Sequence, residues 1–421
     1  VDVSVTQWLV VGYMLVIGVV LPFAGLLMKW FSARKLTLFA LGAFLLGAIV
    51  IAAAPSFAVA FVGRAMQGIG TGLVLPITFA MVFEVFPLHK VGAAMGASAL
   101  VVMFAPAIGP TLAGALVGAG SWRLVFASFA VMALVGIVFA WKFEVNPFKL
   151  TKPAIDAPSV ALSVVGFGGV VFGAGMASSY GWTSPVVLGA LVAGIACLAL
   201  YARRQLSMEV PIIDVRIFSH QGFRVGAVCM MVNFGITLSA MYVLPQFYQS
   251  GMLLAVALTG VVMLPGGIVN ALVSMISGRI YDRIGARGPA ICGFGLSIVG
   301  AAALLFVTPD SSLAYVVACH VTMMLGVPLA MSPCQTHALS SLPRELSADG
   351  STALNTMQQV LGAVCTAVAT SLLTAGQASY VAAGGTDVTL AFTQGSHWGF
   401  AFALALAVAG FACALRIKVK K

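Results

Sequence analysis

The stretch GASALVVMFAPAIGPTLAG, which runs from Gly96 to Gly114, is apolar throughout and contains two prolines. In water, prolines inside a helix normally break it. A helix in a bilayer tolerates Pro106 and Pro110, because neighbouring helices and local adjustments satisfy the freed backbone groups. The glycines and alanines leave one side nearly flat, which lets another helix pack closely. The stretch therefore predicts a kinked, tightly packed transmembrane helix.

The composition places the whole chain in a membrane. Of its 421 residues, 61% are hydrophobic and only 8% are charged, whereas about a quarter are charged in a soluble domain. Apolar runs of helix-spanning length, without the alternation of barrel strands, favour helices over a β-barrel. The net charge is +10. The basic residues that produce it lie in short loops rather than on a folded basic surface, so we expect no nucleic-acid partner.

Catalytic and metal chemistry find no support in the sequence. The seven cysteines all lie in predicted helices and form no CxxC pair, so we expect neither a metal site nor a disulfide. The chain shows no nucleophile-base pair, metal cluster or phosphate-binding loop. We therefore expect a protein that is not an enzyme and that uses no cofactor.

Thirteen membrane spans can be drawn on the apolar runs, and their short connections make successive helices antiparallel neighbours. The spans are 5–29, 36–54, 57–84, 91–118, 121–142, 158–178, 185–203, 222–248, 254–278, 288–308, 313–338, 350–374 and 396–416. Of the 21 basic residues, all but Arg64 and Arg123 fall on one side of these spans. The positive-inside rule makes that side cytoplasmic. We therefore expect the C-terminus inside and Val1 outside.

An internal repeat appears in the loops. The sequence GRIYDRIGAR at 278–287 follows the ninth span, and a weaker copy, GLLMKWFSARK at 25–35, follows the first. Such similarity indicates a duplicated block of helices. In the last six spans this loop follows the second helix, so the same plan at the front predicts one helix before Val1. The expected organisation is an N-terminal bundle at 1–142 lacking its first helix, a linker with two extra spans at 143–221, and a C-terminal six-helix bundle at 222–421.

Three motifs carry a family resemblance. The stretch from Gly96 to Gly114 has a fifth-helix pattern with alanine at two glycine positions, RAMQGIGTG at 64–72 has a fourth-helix pattern, and GRIYDRIGAR is a loop pattern. Together they resemble the major facilitator superfamily, and within it the fourteen-helix drug:proton antiporters. The resemblance implies an all-α fold of two six-helix bundles plus two inserted central helices. The first loop copy departs from the family, because Lys29 stands at its acidic position and Ser32 at its glycine.

Arg64 is the residue most open to a functional interpretation. It lies about 10 Å below the outer membrane edge, counted along its helix, and a charge at that depth is costly unless it is paired or faces water. All 11 acidic residues lie in loops or at helix ends, so none is placed to pair with it. Its partner is expected among polar groups and carbonyls, or in the aspartate that this family carries in the first helix. A purely structural hydrogen-bonding role for Arg64 is the alternative. His320 is a second candidate for proton coupling, but a lone histidine on a helix more often has a structural role.

The resemblance implies three groups of functional residues. The coupling and gating group comprises Arg64, Gln67, Gly68, Gly96, Gly109, Pro110 and Gly114. A latch at the cytoplasmic ends of helices comprises Gly278, Asp282, Arg283, Gly285 and Arg287. A substrate cavity near the midplane between the two bundles comprises Tyr13, Met103, Phe104, Asn233, Met241, Asn270, Met323, Asn355, Gln358 and Gln359. Any one of the apolar side chains could instead pack against a helix or face lipid.

These features predict a secondary transporter that exports a lipophilic or amphiphilic small molecule, a drug or toxic compound, by alternating access. Proton entry would supply the energy. We expect a monomer, spanning the cell membrane many times, whose partners are the substrate, protons and the lipid bilayer. Two alternatives stay open: a metabolite facilitator or importer of the same superfamily, and a truncated, transport-inactive membrane protein.

Overall fold

The computed structural model describes residues 8–87, 90–118, 120–148, 150–152, 156–209 and 211–417. Over these residues the chain is helical and contains no strand. Its thirteen helices are α1 at 8–30, in which a 3₁₀ turn at Leu21–Phe23 joins Trp8–Val20 to Ala24–Trp30, then α2 Ala33–Ala52, α3 Phe57–Val85, α4 Val91–Gly118, α5 Arg123–Phe143, α6 Ala157–Tyr180, α7 Pro185–Ser207, α8 Gln221–Gln246, α9 Val256–Ile284, α10 Arg287–Leu304, α11 Leu313–Ser340, α12 Ser347–Ala382 and α13 Val388–Ala414.

Length and composition make these helices membrane spans. In the described part of the chain, twelve are long and apolar enough to cross a bilayer, and α4 contributes a shorter apolar stretch at Val91–Val102. The sequence-based expectation of an all-α membrane protein with about thirteen helices is confirmed.

Helix ends differ from the predicted spans where polar residues extend a helix. The last span was expected to begin at 396, but α13 begins at Val388, because the Asp387 carboxylate accepts hydrogen bonds from the backbone N–H groups of Thr389 (2.7 Å) and Leu390 (3.2 Å). Such an N-cap satisfies N–H groups that a helix start leaves open. Hydropathy alone cannot detect this polar first turn.

Two irregular turns accompany prolines. The 3₁₀ turn in α1 contains Pro22, and α8 passes into a π-helical turn, Phe247–Gly251, just after Pro245. Proline lacks the N–H that continues a helix, so such local changes of winding are expected beside it.

One compact unit, unit 1, comprises Val1–Phe86, Leu116–Ser219 and Leu342–Val364. In it α3 packs on α2 through glycines, and a Cβ at Gly63 would lie 2.8 Å from the carbonyl oxygen of Gly47. Helix α3 also contacts α1, and α2 contacts α5. A buried apolar cluster lies among α1, α2 and α3: Ala24, Met28, Leu36, Ala40, Leu73, Ile77 and Ala80.

The helices α6 and α7 form a pair within unit 1. A Cβ at Gly194 would lie 2.7 Å from the backbone nitrogen of Val170, so the two helices touch along small residues. At one end, Arg204 of α7 donates two hydrogen bonds to Asp156, which also caps α6 by accepting from the Ser159 N–H. The Arg204 guanidinium and the Ser159 hydroxyl hold the pKa of the Asp156 carboxyl well below its usual range.

The second compact unit, unit 2, comprises Pro87–Ala115, His220–Ser341 and Cys365–Lys421. Small residues again set its helix contacts: a Cβ at Gly293 of α10 would lie 2.7 Å from the Ala330 nitrogen of α11, and one at Gly226 of α8 would lie 2.7 Å from the Cys334 carbonyl oxygen. Within each unit, helix backbones thus approach closely, as expected where lipid removes the hydrophobic drive between helices.

Candidate functional site

Arg64 of α3 is held by uncharged partners. Its Nε donates to the Leu9 carbonyl oxygen (3.1 Å), and its Nη1 donates to Oε1 of Gln67, one turn along α3 (3.0 Å). The guanidinium carbon lies 4.1 Å from the centre of the Tyr13 ring on α1, a distance at which a cation is attracted by the face of an aromatic ring. Tyr13 is itself fixed, because its hydroxyl donates to Oγ1 of Thr71 (2.9 Å). Among the described residues, Arg64 takes part in no ion pair.

The residues around Arg64 hold it tightly. Gln67 is fully buried, and its Nε2 has no hydrogen-bond partner among the described groups. At Gly68 an added Cβ would lie 2.9 Å from Val16 and 3.1 Å from the Tyr13 carbonyl oxygen. Only glycine therefore lets α3 approach α1 at the level of the arginine.

Arg64 opens into a cavity of about 690 Å³ within unit 1. The lining residues are Leu9, Ile51, Ala54, Pro55, Ser56, Phe57, Ala60, Arg64, Trp122, Arg123, Phe126 and Phe129. The described part of this lining combines four aromatic rings with two guanidinium groups and contains no acidic side chain. Arg123 donates to the Ala54 carbonyl oxygen (2.8 Å) and lies over the Trp122 ring. The cavity suits a molecule that presents apolar surface and electron-rich oxygen atoms.

Helix α4 packs closely at one of the predicted positions. A Cβ at Gly96 would lie 2.8 Å from the Ser274 carbonyl oxygen of α9, whereas one at Gly109 would meet no described atom within 4 Å. Close packing at Gly109 stays a prediction, because the side chains around it lie outside the described part of the chain. The side chains of Met103, Phe104 and Pro110, and the surroundings of Gly114, lie outside the described part of the chain.

The loop predicted as a latch contacts the start of α4 within unit 2. The Asp282 carboxylate accepts hydrogen bonds from the backbone N–H groups of Gly92 (3.1 Å) and Ala93 (3.0 Å). A carboxylate is favoured there by the open N–H groups and by the helix dipole. Gly278 lies against the backbones of Gly92 and Gly96, where a side chain would collide.

The other latch residues lie around the end of α9. Gly285 ends the helix with φ +77°, a conformation that favours glycine. Arg283 lies in the last turn of α9, and Arg287 begins α10. The structure thus gives the acid a defined contact with the start of α4.

A second contact of this kind was not predicted from the sequence. In unit 1, Nζ of Lys29 lies 3.1 Å and 3.2 Å from the two carboxylate oxygens of Asp349, in the first turn of α12. The Asp349 side chain is 3% exposed and that of Lys29 is 24% exposed. The available signal was the acid in the first turn of a helix, together with the lysine at the acidic position of the loop.

The predicted cavity residues fall in both units. Unit 1 holds Tyr13, Asn355, Gln358 and Gln359, and unit 2 holds Asn233, Met241, Asn270 and Met323. Met323 lies against Gly300 of α10, which assigns it to packing between α10 and α11. The Asn355 amide bonds the Ser351 carbonyl oxygen of its own helix (2.8 Å).

Buried amides in unit 2 have unused hydrogen-bonding capacity. Both side-chain polar atoms of Asn233 lack a hydrogen-bond partner among the described residues. The amide oxygen of Asn270 also lacks one, while its Nδ2 lies 3.5 Å from the Met324 sulfur. His320 is also buried, packed against Gly266, with Nδ1 unpartnered in the described structure. Unsatisfied buried polar groups are costly in a folded protein, so these are the side chains of unit 2 best suited to a polar ligand. Within the described part of the chain, no three His, Cys, Asp or Glu side chains come together as metal ligands.

Comparison with known proteins agrees with this architecture. The family model described as Major Facilitator Superfamily matches residues 1–165 and 158–366. The "Lincomycin resistance protein LmrB" of Listeria monocytogenes is 37% identical over 99% of this chain and 90% of its own length, and its namesake from Bacillus subtilis is 38% identical over 99% and 88%. The "Multidrug resistance protein B homolog" of Mycobacterium tuberculosis is 27% identical over 88% and 69%.

Two solved structures share the fold. The human organic anion transporter MFSD10 superposes with a TM-score of 0.63 at 16% identity, covering 97% of this chain and 83% of that one. The proton:xylose symporter XylE superposes with a TM-score of 0.61 at 12% identity, covering 99% and 87%. At these identities the likeness concerns the fold alone.

Proposed function

Since this chain belongs to the major facilitator superfamily, whose members are membrane transporters and not enzymes, we propose that it exports lipophilic or amphiphilic drugs in exchange for protons. The observation that carries the proposal is the 37–38% identity, over 99% of the chain, to proteins named for lincomycin resistance. Lincomycin is accordingly the first substrate to test.

The cavity beside Arg64 supports an amphiphilic substrate. Its aromatic lining offers apolar contact to ligands of varied shape, while Arg64 and Arg123 attract electronegative atoms. In unit 2, the unpartnered side-chain atoms of Asn233 and the amide oxygen of Asn270 offer hydrogen bonds to a polar ligand.

Proton coupling is proposed through the environment of Arg64. A guanidinium in a membrane span is costly, and among the described residues it is contacted by a carbonyl, an amide and a ring rather than by an acid. These neutral contacts leave its charge uncompensated, so it can favour loss of a proton from a carboxyl group brought near it. Proton entry driven by the membrane potential supplies about 2.3 kcal/mol per charge per 100 mV.

The orientation and the division of the chain follow the sequence-based predictions. We propose that the end of the helices carrying nearly all lysines and arginines is cytoplasmic, with the C-terminus inside the cell. We further propose that 1–142 and 222–421 are the two blocks that rock about the substrate, with 143–221 as an inserted helix pair and its connector. We expect the monomer to carry out transport.

Uptake into inside-out membrane vesicles tests this function. We expect labelled lincomycin and a fluorescent lipophilic dye to accumulate when the vesicle lumen is acidic, and a protonophore to abolish accumulation. Vesicles from cells without the protein are the control. Accumulation that is unchanged by the protonophore would refute proton coupling. If the substrate concentration inside the vesicles never exceeds the concentration outside, the protein is a facilitator instead.

A further inference from the structure

The internal repeat found in the loops extends to the helix contacts. The spacing of the two loop copies also relates Gly47 of α2 to Gly300 of α10. A Cβ at Gly47 would lie 2.5 Å from the Gly63 carbonyl oxygen of α3. One at Gly300 would lie 2.9 Å from the Cys319 carbonyl oxygen of α11. The α2–α3 pair of unit 1 is therefore repeated by the α10–α11 pair of unit 2, with Gly63 and Cys319 in equivalent positions.

This register makes His320 of α11 the counterpart of Arg64 of α3. The two residues directly follow the equivalent pair, and each is the eighth residue of its helix. Their neighbours on the facing helix also correspond, because the spacing of the loop copies relates Tyr13 of α1 to Gly266 of α9. The Arg64 guanidinium lies over the Tyr13 ring, and the His320 ring lies over Gly266. Each unit thus holds one basic side chain at the same turn of equivalent helices.

The His320 ring fits against α9 because residue 266 is a glycine. A Cβ there would lie 2.6 Å from Nδ1 and 2.8 Å from Nε2 of the ring. His320 is 2% exposed, and its Nδ1 has no hydrogen-bond partner among the described groups. One turn further along the same two helices, Asn270 contacts Met324 through its Nδ2 and leaves its amide oxygen unpartnered within the described structure. Shape therefore holds the imidazole in place, while its Nδ1 keeps a free bonding position.

In the described structure, the helices packed against α11 bring no charge to this ring. These helices are α8, α9 and α10, and their charged side chains all lie within two turns of a helix end: Arg224, Arg279, Asp282, Arg283 and Arg287. Along α9, Arg279 lies about 20 Å from Gly266, counted at 1.5 Å per residue. The other titratable side chains in the half of the helices that holds His320 are neutral near pH 7: Tyr242, Tyr248, Tyr315 and Cys319. A charged imidazolium would be buried here without a counter-charge, which is strongly unfavourable, so the ring is neutral in this arrangement.

We propose that His320 is a proton-binding residue of the transport cycle, neutral while it is buried against Gly266 and protonated when the cycle opens it to water. With the hydrogen of the neutral ring on Nε2, Nδ1 accepts a proton from water on the acidic side and later returns it to water on the other side. Exchange requires a group whose affinity for the proton differs between two states, and burial without a counter-charge provides that difference.

The residue types of the two blocks divide the roles in this proposal. Arg64 keeps its charge at every physiological pH, whereas a histidine changes charge near neutrality. All 11 acidic residues lie in loops or at helix ends, whereas His320 lies within a span. His320 therefore supplies the titrating group and Arg64 the fixed charge. This inference rests on the proposed proton-driven export.

Two substitutions separate titration from packing and from hydrogen bonding. His320→Phe keeps a flat ring over Gly266 but has no ring nitrogen, and His320→Gln keeps hydrogen-bonding groups but stays uncharged at every pH. In inside-out vesicles we expect both to lower proton-driven accumulation of labelled lincomycin at least about fivefold. Both should retain exchange of labelled for unlabelled lincomycin at equal pH on the two sides. His397→Gln is the matched control in unit 2, since that ring bonds the Val307 carbonyl oxygen (2.8 Å), and it should leave both activities unchanged.

Nuclear magnetic resonance of labelled histidine rings tests His320 without any substrate, on the purified full chain in lipid nanodiscs. The chain has five histidines, and the signal that is absent from His320→Gln identifies His320. We expect this signal to change from the neutral to the charged form as the pH falls from about 8 to about 5. The change occurs because protonation favours the arrangement in which the ring is open to water.

Three results would overturn the proposal. The first is a His320 signal that stays neutral down to pH 5, and the second is full proton-driven accumulation by His320→Gln. The third is loss of exchange together with accumulation in both variants, which would make His320 a structural or substrate-contact residue. If His320→Phe does not fold, His320→Gln and the resonance titration decide the matter. A wild-type protein whose His320 titrates but which moves no lincomycin would count against the export proposal alone.

Discussion

At the scale of single residues, Arg64 shows how a buried charge is held by neutral groups. Among the described residues its contacts are a carbonyl oxygen, an amide oxygen and an aromatic face, and each leaves the positive charge unneutralised. A structural arginine would gain more from a carboxylate in the same place. The arrangement thus keeps the arginine fixed and its charge available.

Replacing Arg64 should impair coupling more than folding. Arg64→Ala removes two charge-assisted hydrogen bonds, which are worth about 1.5–3 kcal/mol each, and we expect proton-driven uptake to fall at least about tenfold. Arg64→Lys keeps the charge but loses the planar group that bonds two acceptors while lying over Tyr13, so we expect partial activity. The measurement is vesicle uptake at equal amounts of membrane-inserted protein.

Arg123 provides the control for this prediction. It lines the same cavity, bonds a backbone carbonyl and lies over a ring, but it is placed at the start of α5 rather than within a span. Arg123→Ala should change the apparent affinity for substrate while uptake stays sensitive to the protonophore. Full proton-driven uptake by Arg64→Ala would remove Arg64 from the mechanism.

Asp156 carries a pH-dependent contribution to stability. Arg204 and Ser159 depress its folded pKa, so its stabilisation is present above the ordinary aspartate pKa of about 3.9 and is lost as pH falls through the lower folded value. Asp156→Asn should therefore lower the melting temperature by a constant amount between about pH 5 and pH 8. Thermal unfolding of both proteins across that range is the measurement, and a difference that varies within it would contradict this account.

At the scale of elements, helix α4 illustrates what a pattern of small residues can and cannot predict. Its small residues predicted close packing from Gly96 to Gly114, and Gly96 lies against the α9 backbone. The same pattern included Gly109, where an added Cβ would meet no described atom within 4 Å. Sequence spacing shows which positions share a helix face, but the partner that covers the face comes from a distant part of the chain.

Substitution by leucine separates these two glycines. Gly96→Leu forces a side chain into the α9 backbone, and overpacking of this kind costs about 1–3 kcal/mol or more. We expect less folded protein in the membrane and little uptake. Gly109→Leu should be accumulated at normal levels, because its side chain enters open space. The measurement is the amount of monomer that elutes from gel filtration after extraction in detergent. Equal amounts for the two variants would show that the local contact of a glycine does not decide whether α4 accepts a leucine there.

At the scale of the whole molecule, hydropathy and charge predicted the helices well, because a bilayer requires each crossing to be a long apolar helix. The long-range contacts were beyond such reasoning. Lys29 meets Asp349 across 320 residues, and Asp282 meets Gly92 across 190. The loop repeat identified Asp282 as a latch residue but gave Lys29 no partner, since the compensating acid lies outside the repeated segment. A salt bridge whose two members lie 320 residues apart is found only in the folded chain.

The proposed direction of transport depends on the orientation of the helices, which reporter fusions can measure. The turn at 305–312 and the turn at 383–387 contain no lysine or arginine, whereas the chain ends in a basic tail. Alkaline phosphatase fused after Thr308 or Gly385 should be active, because it folds only outside the cytoplasm, and green fluorescent protein fused after Lys421 should fluoresce. Since 19 of the 21 basic residues favour one side, moving a single charge should not reverse this pattern. Inactive phosphatase at both turns would place the contact of Asp282 with the start of α4 on the outer face, and the predicted latch at 278–287 would then act on the outer rather than the inner side.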